Sequence, residues 1–340
     1  MEAIIKQYFK GLKGTTLSNL CYLTEGIMRS GKASAWHAAQ AMSPINKNSF
    51  KTNEKKGNRL LQDENFQIGD TIFRMYIKLL FNIMQERNIL KIGDNIQINV
   101  DYTSDTDEFL ILMASVHFCD RSVPLFFSMR NYPKKKDKYD QKKMEFSFMK
   151  ELRHLLPKKY TYTIVADRGF GNARFAQLCE ENGFDYVLRI NENLNILRND
   201  RKENLQKYEG KNISFDAYNI SAKKEYHFEI KTKNKSTWFL MMPINSLNES
   251  SKYQKRFAIE KCFQDQKSSG FDIESSKIKK YSRFKKLYFT TCLAQLFLVV
   301  IGEYVTNQNH PLKKNFPILV NVISVFSVSD IEFASIASLK

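Results

Sequence analysis

The order of structural elements between residues 96 and 190 constrains the fold of this 340-residue chain more than any other feature. Three strand-like runs come first, and a helix, a strand, a second helix and a further strand follow. This order predicts an α/β fold with a mixed sheet. The predicted strands are Ile96–Val100, Phe109–Phe118, Ser122–Met129, Tyr160–Ala166 and Phe184–Ile190, and the predicted helices are Asp137–Leu156 and Ala173–Glu181.

The residues before this core are predicted to be helical. Apolar side chains recur at three- and four-residue spacing in Leu17–Met28 and in Ile72–Met84, which is the period of an α-helix. The segment Lys47–Arg59 between them is basic and polar. Such a segment favours DNA binding about as strongly as it favours a solvated helical surface, and it carries no clear helix-turn-helix signature.

After residue 190 the strand–helix rhythm ends. Residues 191–250 are predicted as a mostly β insertion with strands at Ile213–Asn219, Glu225–Lys231 and Trp238–Met242. Helical texture then continues to about residue 305. Its most apolar part, Leu287–Gly302, contains threonine and glutamine, which favours a buried core helix over a membrane span.

The charge of the chain indicates a polyanionic partner. Lysine and arginine number 53 against 36 acidic residues, so the formal net charge is +17. Nucleic acid is the commonest partner for a surplus of this size. Five cysteines without paired spacing are typical of reduced thiols in a cytoplasmic protein and argue against a zinc site.

Two acids lie where predicted strands end. Asp101 follows Ile96–Val100, and Asp167 follows Tyr160–Ala166. Acids at the ends of strands in an α/β sheet are well placed to line a functional crevice. Asp105 and Asp107 lie close to the first acid, but we interpret them as turn residues because only Asp101 directly ends the strand.

A third acid belongs to a polar stripe. Tyr253, Arg256, Glu260 and Lys267 have offsets of 0, 3, 7 and 14, which correspond to roughly 0°, −60°, −20° and −40° around one helix. Together with the two strand-end acids, Glu260 would complete an oxygen-rich site for divalent cations of the kind that serves two-metal phosphoryl transfer. Taken alone, the stripe is equally compatible with a solvated helix face.

With these residues in place, the chain resembles the bacterial insertion-sequence transposases of the D-D-E class, in the family-four group marked by Y-x2-R-x3-E-x6-K. Every spacing of that signature is matched between Tyr253 and Lys267. The resemblance implies an RNase H-like catalytic core interrupted by a β-rich insertion and preceded by a small helical N-terminal domain.

The resemblance implies a role for each matched residue. Metal ligation falls to the three acids, with Mg²⁺, or Mn²⁺ in its place, bound as two ions. The implied DNA contacts come from the residues of the signature helix, from two arginines near strand ends and from a tryptophan that stacks on a flipped base. The metal ligands are Asp101, Asp167 and Glu260, and the DNA-binding residues are Tyr253, Arg256, Lys267, Arg168, Arg189 and Trp238.

The resulting domain prediction has five parts. Residues 1–90 form a helical DNA-binding domain, 91–190 the first part of the core, 191–250 the insertion, 251–306 the last part of the core and 307–340 a C-terminal tail. A buried strand tryptophan is as compatible with Trp238 as a base-stacking one. Basic runs at Lys134–Lys143 and Lys277–Lys286 would neutralise phosphates or simply be solvated.

The predicted function is cut-and-paste DNA transposition. The enzyme would cleave double-stranded DNA at terminal inverted repeats, pass through a hairpin and join the freed 3′ end to target DNA. The resemblance implies a homodimer in the synaptic complex and a cytoplasmic, nucleoid-associated location in a bacterium, without a membrane. The alternatives are an RNase H-like nuclease without strand transfer and a non-catalytic DNA-binding derivative of a transposase.

Overall fold

A computed structural model describes residues 1–105, 108–118, 121–132, 141–234, 236–247, 249–267 and 270–307. Several residues singled out in the sequence lie outside this part of the chain. They are Asp107, the lysines Lys134, Lys135, Lys136 and Lys138, and the tail from residue 308 onward.

The N-terminal residues are helical, as predicted. The helices are α1 (Glu2–Tyr8), α2 (Gly14–Ser30), α3 (Ala35–Asn46), α4 (Phe50–Gln62) and α5 (Asp70–Glu86). Small residues let α2, α3 and α4 pack closely. A Cβ at Gly26 would come within 2.5 Å of the Cβ of Ala38, and one at Gly57 within 3.0 Å of the Cβ of Ala35. Side chains at both glycines would therefore push the helices apart.

The remaining described residues form one large sheet with helices. The strands are β1 (Asn95–Asp105), β2 (Phe109–Phe118), β3 (Arg121–Asn131), β4 (Thr161–Ala166), β5 (Asp185–Arg189), β6 (Asn195–Arg198), β7 (Arg201–Asn204), β8 (Ile213–Asn219), β9 (Lys224–Lys233) and β10 (Ser236–Met242). The helices are α6 (Gln141–Leu155), α7 (Ala173–Glu181), α8 (Ser250–Arg256), α9 (Ala258–Gln266) and α10 (Tyr281–Asn307).

The sheet is mixed and has ten strands in the order β3-β2-β1-β4-β5-β10-β9-β8-β6-β7. β1, β4 and β5 run parallel, and β2 and β3 extend the sheet antiparallel at one side. The strands of the predicted insertion continue this sheet, because β10 pairs antiparallel with β5. This architecture is consistent with an RNase H-like transposase core.

The core runs through both the N-terminal helices and the sheet. Buried apolar residues from α1 to α10 form one contiguous cluster. Phe289 of α10 illustrates the continuity, since its ring lies 6.2 Å from that of Phe9, just after α1, and 6.1 Å from that of Phe73 in α5. By length and composition α10 could cross a membrane, but most of it is buried inside the protein, as expected for a core helix.

Candidate active site

The face of β1 turned toward α8 is polar. Side chains alternate across a strand, so Gln97, Asn99 and Asp101 lie on the same side of the sheet. The amide of Gln97 donates to the carbonyl of Lys252 in α8 at 2.8 Å and to Oδ1 of Asn99 at 2.7 Å. A polar row therefore leads along β1 to the carboxylate of Asp101.

Asp101 lies inside β1 and not at its end, which corrects the prediction from the sequence. β1 continues to Asp105 because its second half pairs with β2, from Asp101 opposite Met113 onward. The parallel pairing with β4 nevertheless ends at Val100 and Ala166. Asp101 is thus the first residue of β1 beyond its parallel neighbour.

Asp167 follows β4 directly, as predicted. Its carboxylate accepts the hydroxyl of Tyr253 at 2.9 Å. The turn after it approaches β5 so closely that a Cβ at Gly171 would lie 1.9 Å from the carbonyl oxygen of Arg189. Only glycine fits so close to the backbone of β5. On the same strand, Nη1 of Arg189 lies 3.7 Å from Oδ1 of Asp167.

The predicted helix from Tyr253 to Lys267 is broken into α8 and α9 at Phe257. Phe257 has φ −55° and ψ −16°, and its carbonyl accepts the amide of Glu260, so the chain makes a local 3₁₀-like turn. Lys267 ends α9 with an extended backbone and lies 3.7 Å from Glu274. The prediction that all four side chains form one stripe on a single helix is therefore wrong. The helix is interrupted at Phe257 and has ended before Lys267, so ideal helix geometry does not relate the four positions.

α8 is attached to the sheet through its first residues. The carboxylate of Glu229 in β9 is buried and accepts the backbone amides of Glu249 and Ser250 at 2.8 and 2.9 Å. Unpaired amides at a helix start bind carboxylates well. This contact fixes the start of the helix that carries Tyr253 and Arg256.

Arg256 brings the three acids together. Its Nη1 donates to Asp101 at 3.0 Å, and its Nη2 donates to Glu260 at 2.8 Å and lies 3.6 Å from Asp167. Only 1% of the Arg256 side chain is exposed, whereas the three carboxylates are 25%, 51% and 36% exposed in the same order. The guanidinium is therefore the buried centre of an acidic group that opens to solvent.

The two aspartates experience opposite electrostatic environments. Burial raises the pKa of Asp101 and outweighs the attraction of Arg256. Burial also acts on Asp167, but the backbone amide of Arg168, the guanidinium of Arg256 and the hydroxyl of Tyr253 outweigh it and lower the pKa of that carboxyl. Asp167 is thus held as the anion, while Asp101 binds a proton more readily.

The donor set suits a hard divalent cation, since all three acids offer carboxylate oxygens to one region. Within the described part of the chain, however, no group of three or more histidine, cysteine or acidic side chains is close enough to hold a metal ion. Arg256 supplies the counter-charge between the acids in this conformation. The chemistry of the three carboxylates therefore fits a divalent cation. A cation bound there would share these carboxylates with the guanidinium of Arg256.

The other predicted DNA contacts have different surroundings. Arg168 is half exposed and lies 3.9 Å from Glu192. Trp238 is only 8% exposed and packs edge-on against Tyr253 at 5.2 Å. In this conformation its ring is part of a small apolar cluster between sheet and α8 and is not presented to a base. Its stacking role stays a prediction.

Two aromatic contacts of the site and one tight glycine turn were missed in the sequence. Phe257 is 41% exposed, and the guanidinium carbon of Arg256 lies 5.0 Å from its ring centre. Tyr102, next to Asp101, stacks on Phe170 at 5.3 Å. The motif Ala-Asp-Arg-Gly-Phe-Gly contains both Phe170 and Gly171, so its closely spaced glycines were the available signal for a tight turn.

The fold and the site define a class: a mixed α/β core in which acids from a central strand, a strand end and a following helix converge beside buried arginine and tyrosine. Residues 129–297 match the family model described as "Transposase DDE domain", and this match supports a transposase of the DDE class. The matched range contains Asp167 and Glu260, whereas Asp101 lies before it.

Two other comparisons add little. A search of curated proteins finds no match for this chain. Among solved structures, an endonuclease V from Bacillus subtilis is similar at 10% sequence identity, over 70% of this chain and 94% of that one, with a TM-score of 0.27. A likeness this weak carries no argument about fold or function.

Proposed function

We propose that the protein is a cut-and-paste DNA transposase that cleaves and joins DNA at the terminal inverted repeats of an insertion sequence. One observation carries the proposal. Acids from β1, from the end of β4 and from α9 all contact the guanidinium of Arg256, so residues far apart in sequence form one carboxylate site. The match to the transposase DDE domain supports the same chemistry.

Asp101, Asp167 and Glu260 would hold the divalent cations, and Mg²⁺ in a two-ion site is our proposal for their identity and number. Bound there, the cations would supply Lewis acidity toward the oxygens of the scissile phosphate. The anionic state of Asp167, maintained by its neighbours, keeps one ligand ready at neutral pH. Arg189 is 19% exposed beside Asp167 and would contact a DNA phosphate through its guanidinium.

The reaction would proceed through direct displacements at phosphorus. Water attacks a phosphodiester at the element end and releases a 3′-hydroxyl. That hydroxyl attacks the opposite strand to form a hairpin, which water reopens before the 3′ end joins target DNA. The hairpin, the homodimeric synaptic complex, the membership of the family-four group and the cytoplasmic location all come from the resemblance of the Tyr253–Lys267 signature.

The decisive test uses DNA that carries a terminal inverted repeat of the element joined to flanking DNA, with Mg²⁺ or Mn²⁺. The wild type is expected to nick the DNA and to join the product to a second duplex. Glu260→Gln keeps the size of the side chain and is expected to bind the DNA but lose cleavage by at least about a thousand-fold, a change on the order of 4 kcal/mol in the barrier. Glu209→Gln, an exposed acid outside the site, is the matched control.

Each outcome has a separate meaning. Cleavage by Glu260→Gln at the wild-type rate refutes the site. Cleavage by the wild type without joining to a second duplex supports the RNase H-like nuclease instead. DNA binding without any cleavage, under all metal conditions, supports a non-catalytic derivative. Gel analysis under denaturing conditions also reveals hairpins, because they migrate as strands of double length.

A further inference from the structure

The side-chain amides of two glutamines are buried between α9 and α10. Gln266 is the last residue of α9, and Gln295 lies near the middle of α10, in the apolar stretch Leu287–Gly302. Both side chains are buried. An amide that leaves water costs free energy unless hydrogen bonds replace the lost solvent, so the contacts of these two amides need an explanation.

The two amides bond to each other and to three neighbours. Nε2 of Gln266 donates to Oε1 of Gln295 at 3.0 Å, and Oε1 of Gln266 accepts the hydroxyl of Tyr288 at 2.6 Å. Nε2 of Gln295 lies 3.4 Å from Sγ of Cys262, and Nε2 of Gln266 lies 3.7 Å from Sγ of Cys292. All five side chains are buried. We call them the glutamine network.

The two thiols of the network are neutral. Burial raises the pKa of Cys262 and of Cys292. A cysteine reacts as its thiolate, so both sulfurs stay protonated and unreactive at neutral pH. The network is therefore a set of neutral hydrogen-bonding groups that joins two helices.

α9 depends on contacts of this kind because it is short. It has nine residues and is separated from α8 by the break described above. A helix of this length is marginal on its own in water, so its orientation depends on what it packs against. Its buried residues Ile259, Cys262 and Gln266 have offsets of 0, 3 and 7, which place them on one stripe about 60° wide. Glu260 lies outside this stripe and is half exposed.

α9 is held at both of its ends. Before it, Nε2 of His117 in β2 donates to the carbonyl of Lys255 in the last turn of α8, at 2.8 Å. In its last turn, Asp265 lies 3.4 Å from Arg121 of β3, and both of these side chains are partly exposed. The glutamine network joins the same turn to α10 through side chains that are buried.

A buried polar network fixes a helix more uniquely than apolar packing does. Apolar side chains of similar volume can repack at small cost, whereas an amide that shifts by more than about half an ångström loses its hydrogen bond. Buried polar side chains are used in this way to fix the register of packed helices. A rotation or a shift of α9 would leave the amides of Gln266 and Gln295 unpaired.

We propose that the glutamine network is a positioning element for Glu260. It fixes the rotation and the axial position of α9, and thereby holds the Glu260 carboxylate beside Asp101 and Asp167. Gln266 lies about 9 Å along the helix from Glu260, so it acts through the helix and does not touch the reacting atoms. The inference rests on the proposed function, because a cation site made of three acids is what requires Glu260 to be positioned.

The test variant carries Gln266→Met together with Tyr288→Phe. The two substitutions keep the approximate shape of both side chains and remove both partners of their hydrogen bond, so neither is left unpaired at that bond. Gln295 keeps its contacts with Cys262. The variant is therefore expected to be folded in the absence of urea, which an unfolding curve checks.

Binding of Mn²⁺ to the full chain, followed by the electron paramagnetic resonance signal of the free ion, reports on Glu260 without any cleavage. The variant is expected to bind Mn²⁺ about ten-fold more weakly than the wild type, as is usual when a group that orients a metal ligand is lost. In the Glu260→Gln background the same pair is expected to change the affinity by less than about two-fold, because it acts through that carboxylate.

The cleavage reaction gives a second readout. With terminal-repeat DNA, the variant is expected to lower kcat about ten- to a hundred-fold, while the dissociation constant for the same DNA in the absence of divalent cations stays at the wild-type value. A variant that cleaves at the wild-type rate overturns the positioning role.

The matched control is Thr290→Val with Thr291→Val. Both threonines are buried in α10, and their hydroxyls donate to carbonyls of the same helix, at 2.8 Å to Lys286 and at 2.9 Å to Leu287. The control thus removes two buried polar groups whose hydrogen bonds lie within α10. It is expected to bind Mn²⁺ as the wild type does.

Three results of the Mn²⁺ measurement refute the proposal. They are wild-type affinity in the test variant, an equal loss of affinity in the control, and an equal loss in the Glu260→Gln background. If the test variant does not fold, Gln295→Met replaces it. This substitution leaves Gln266 bonded to Tyr288 and is expected to show the same pattern with a smaller loss, and wild-type Mn²⁺ affinity in it likewise refutes the proposal.

The proposed function fails separately. A wild type that binds Mn²⁺ but neither nicks nor joins DNA refutes the transposase, whereas the Mn²⁺ affinities still decide the role of the glutamine network. Normal cleavage and normal Mn²⁺ binding by the test variant refute only the network. A wild type that binds no Mn²⁺ overturns both proposals.

Discussion

Replacement of Arg256 by methionine tests whether its guanidinium holds the acidic site together. Methionine retains much of the length and apolar character of the side chain but removes the charge. The three carboxylates of Asp101, Asp167 and Glu260 would then face one another without the cation that each of them contacts. The variant is expected to be less stable in metal-free buffer.

The expected loss follows from the burial of the partners. Removing one member of a buried ion pair costs about 3–5 kcal/mol, whereas exposed pairs contribute about 0–1 kcal/mol. Arg256 is 1% exposed, but the carboxylates are 25–51% exposed, so solvent screens part of the repulsion. We therefore expect a fall of about 2–3 kcal/mol in the free energy of unfolding.

The assay is urea unfolding at pH 7 with a chelator present, repeated with Mn²⁺. The cation is expected to stabilise Arg256→Met more than the wild type, because it replaces the missing counter-charge. Asp101→Asn in the methionine background removes one repelling charge and is expected to recover part of the loss. The reasoning is refuted if Arg256→Met unfolds at the wild-type urea concentration, or if Asp101→Asn destabilises both backgrounds equally.

Three further outcomes are expected. Gly171→Ala is expected to lower the free energy of unfolding by about 3 kcal/mol or more in the same urea assay, because its Cβ would lie 1.9 Å from a backbone oxygen. The control is Gly169→Ala, whose Cβ would have no atom within 4 Å, and its free energy of unfolding should stay within about 0.5 kcal/mol of the wild-type value. The hydroxyl of Thr16, 2.6 Å from Asp63, lowers the pKa of that carboxyl. The lowered pKa of Asp63 therefore contributes to stability at pH values above the pKa of the unfolded chain, near 4, and this contribution is lost as the pH falls below that value. Asp63→Asn should flatten the acid limb of a curve of unfolding free energy against pH. An unchanged acid limb contradicts this. Burial raises the pKa of Cys21 to about 11, and mass spectrometry should find it alkylated at pH 8 only after unfolding.

Much of the core could be predicted because its elements have clear periodicity. α7, β2 and β8 have the predicted bounds, the bounds of β3, β4, β5, β9 and β10 differ by at most two residues, and β1 extends five residues further than predicted. The hairpin of β6 and β7 was missed. β7 consists of four polar residues, Arg201–Asn204, none of them buried, so no alternation of apolar side chains marks it.

The three acids of the candidate active site were singled out in the sequence, but the geometry that brings them together was not. Local pattern places Asp167 at a strand end, whereas Asp101 lies inside β1 because the strand continues through the polar residues Tyr102–Asp105, which pair with β2 but show no alternation of apolar side chains. Likewise, the break at Phe257 depends on how α8 and α9 pack against the sheet. That Arg256 contacts all three acids follows from this packing and from no spacing in the sequence.

The contact between Glu229 and the start of α8 has a consequence for how the chain can be shortened. By their position in the sequence, the strands of the predicted insertion could be taken for an accessory unit that can be deleted. Yet β9 supplies the carboxylate that holds Glu249 and Ser250, and β10 contributes Leu240 and Met242 to the cluster beneath Tyr253. A shortened chain that lacks these strands would lose the contacts that hold α8 in place, so the strands of the predicted insertion are part of the scaffold of the candidate site.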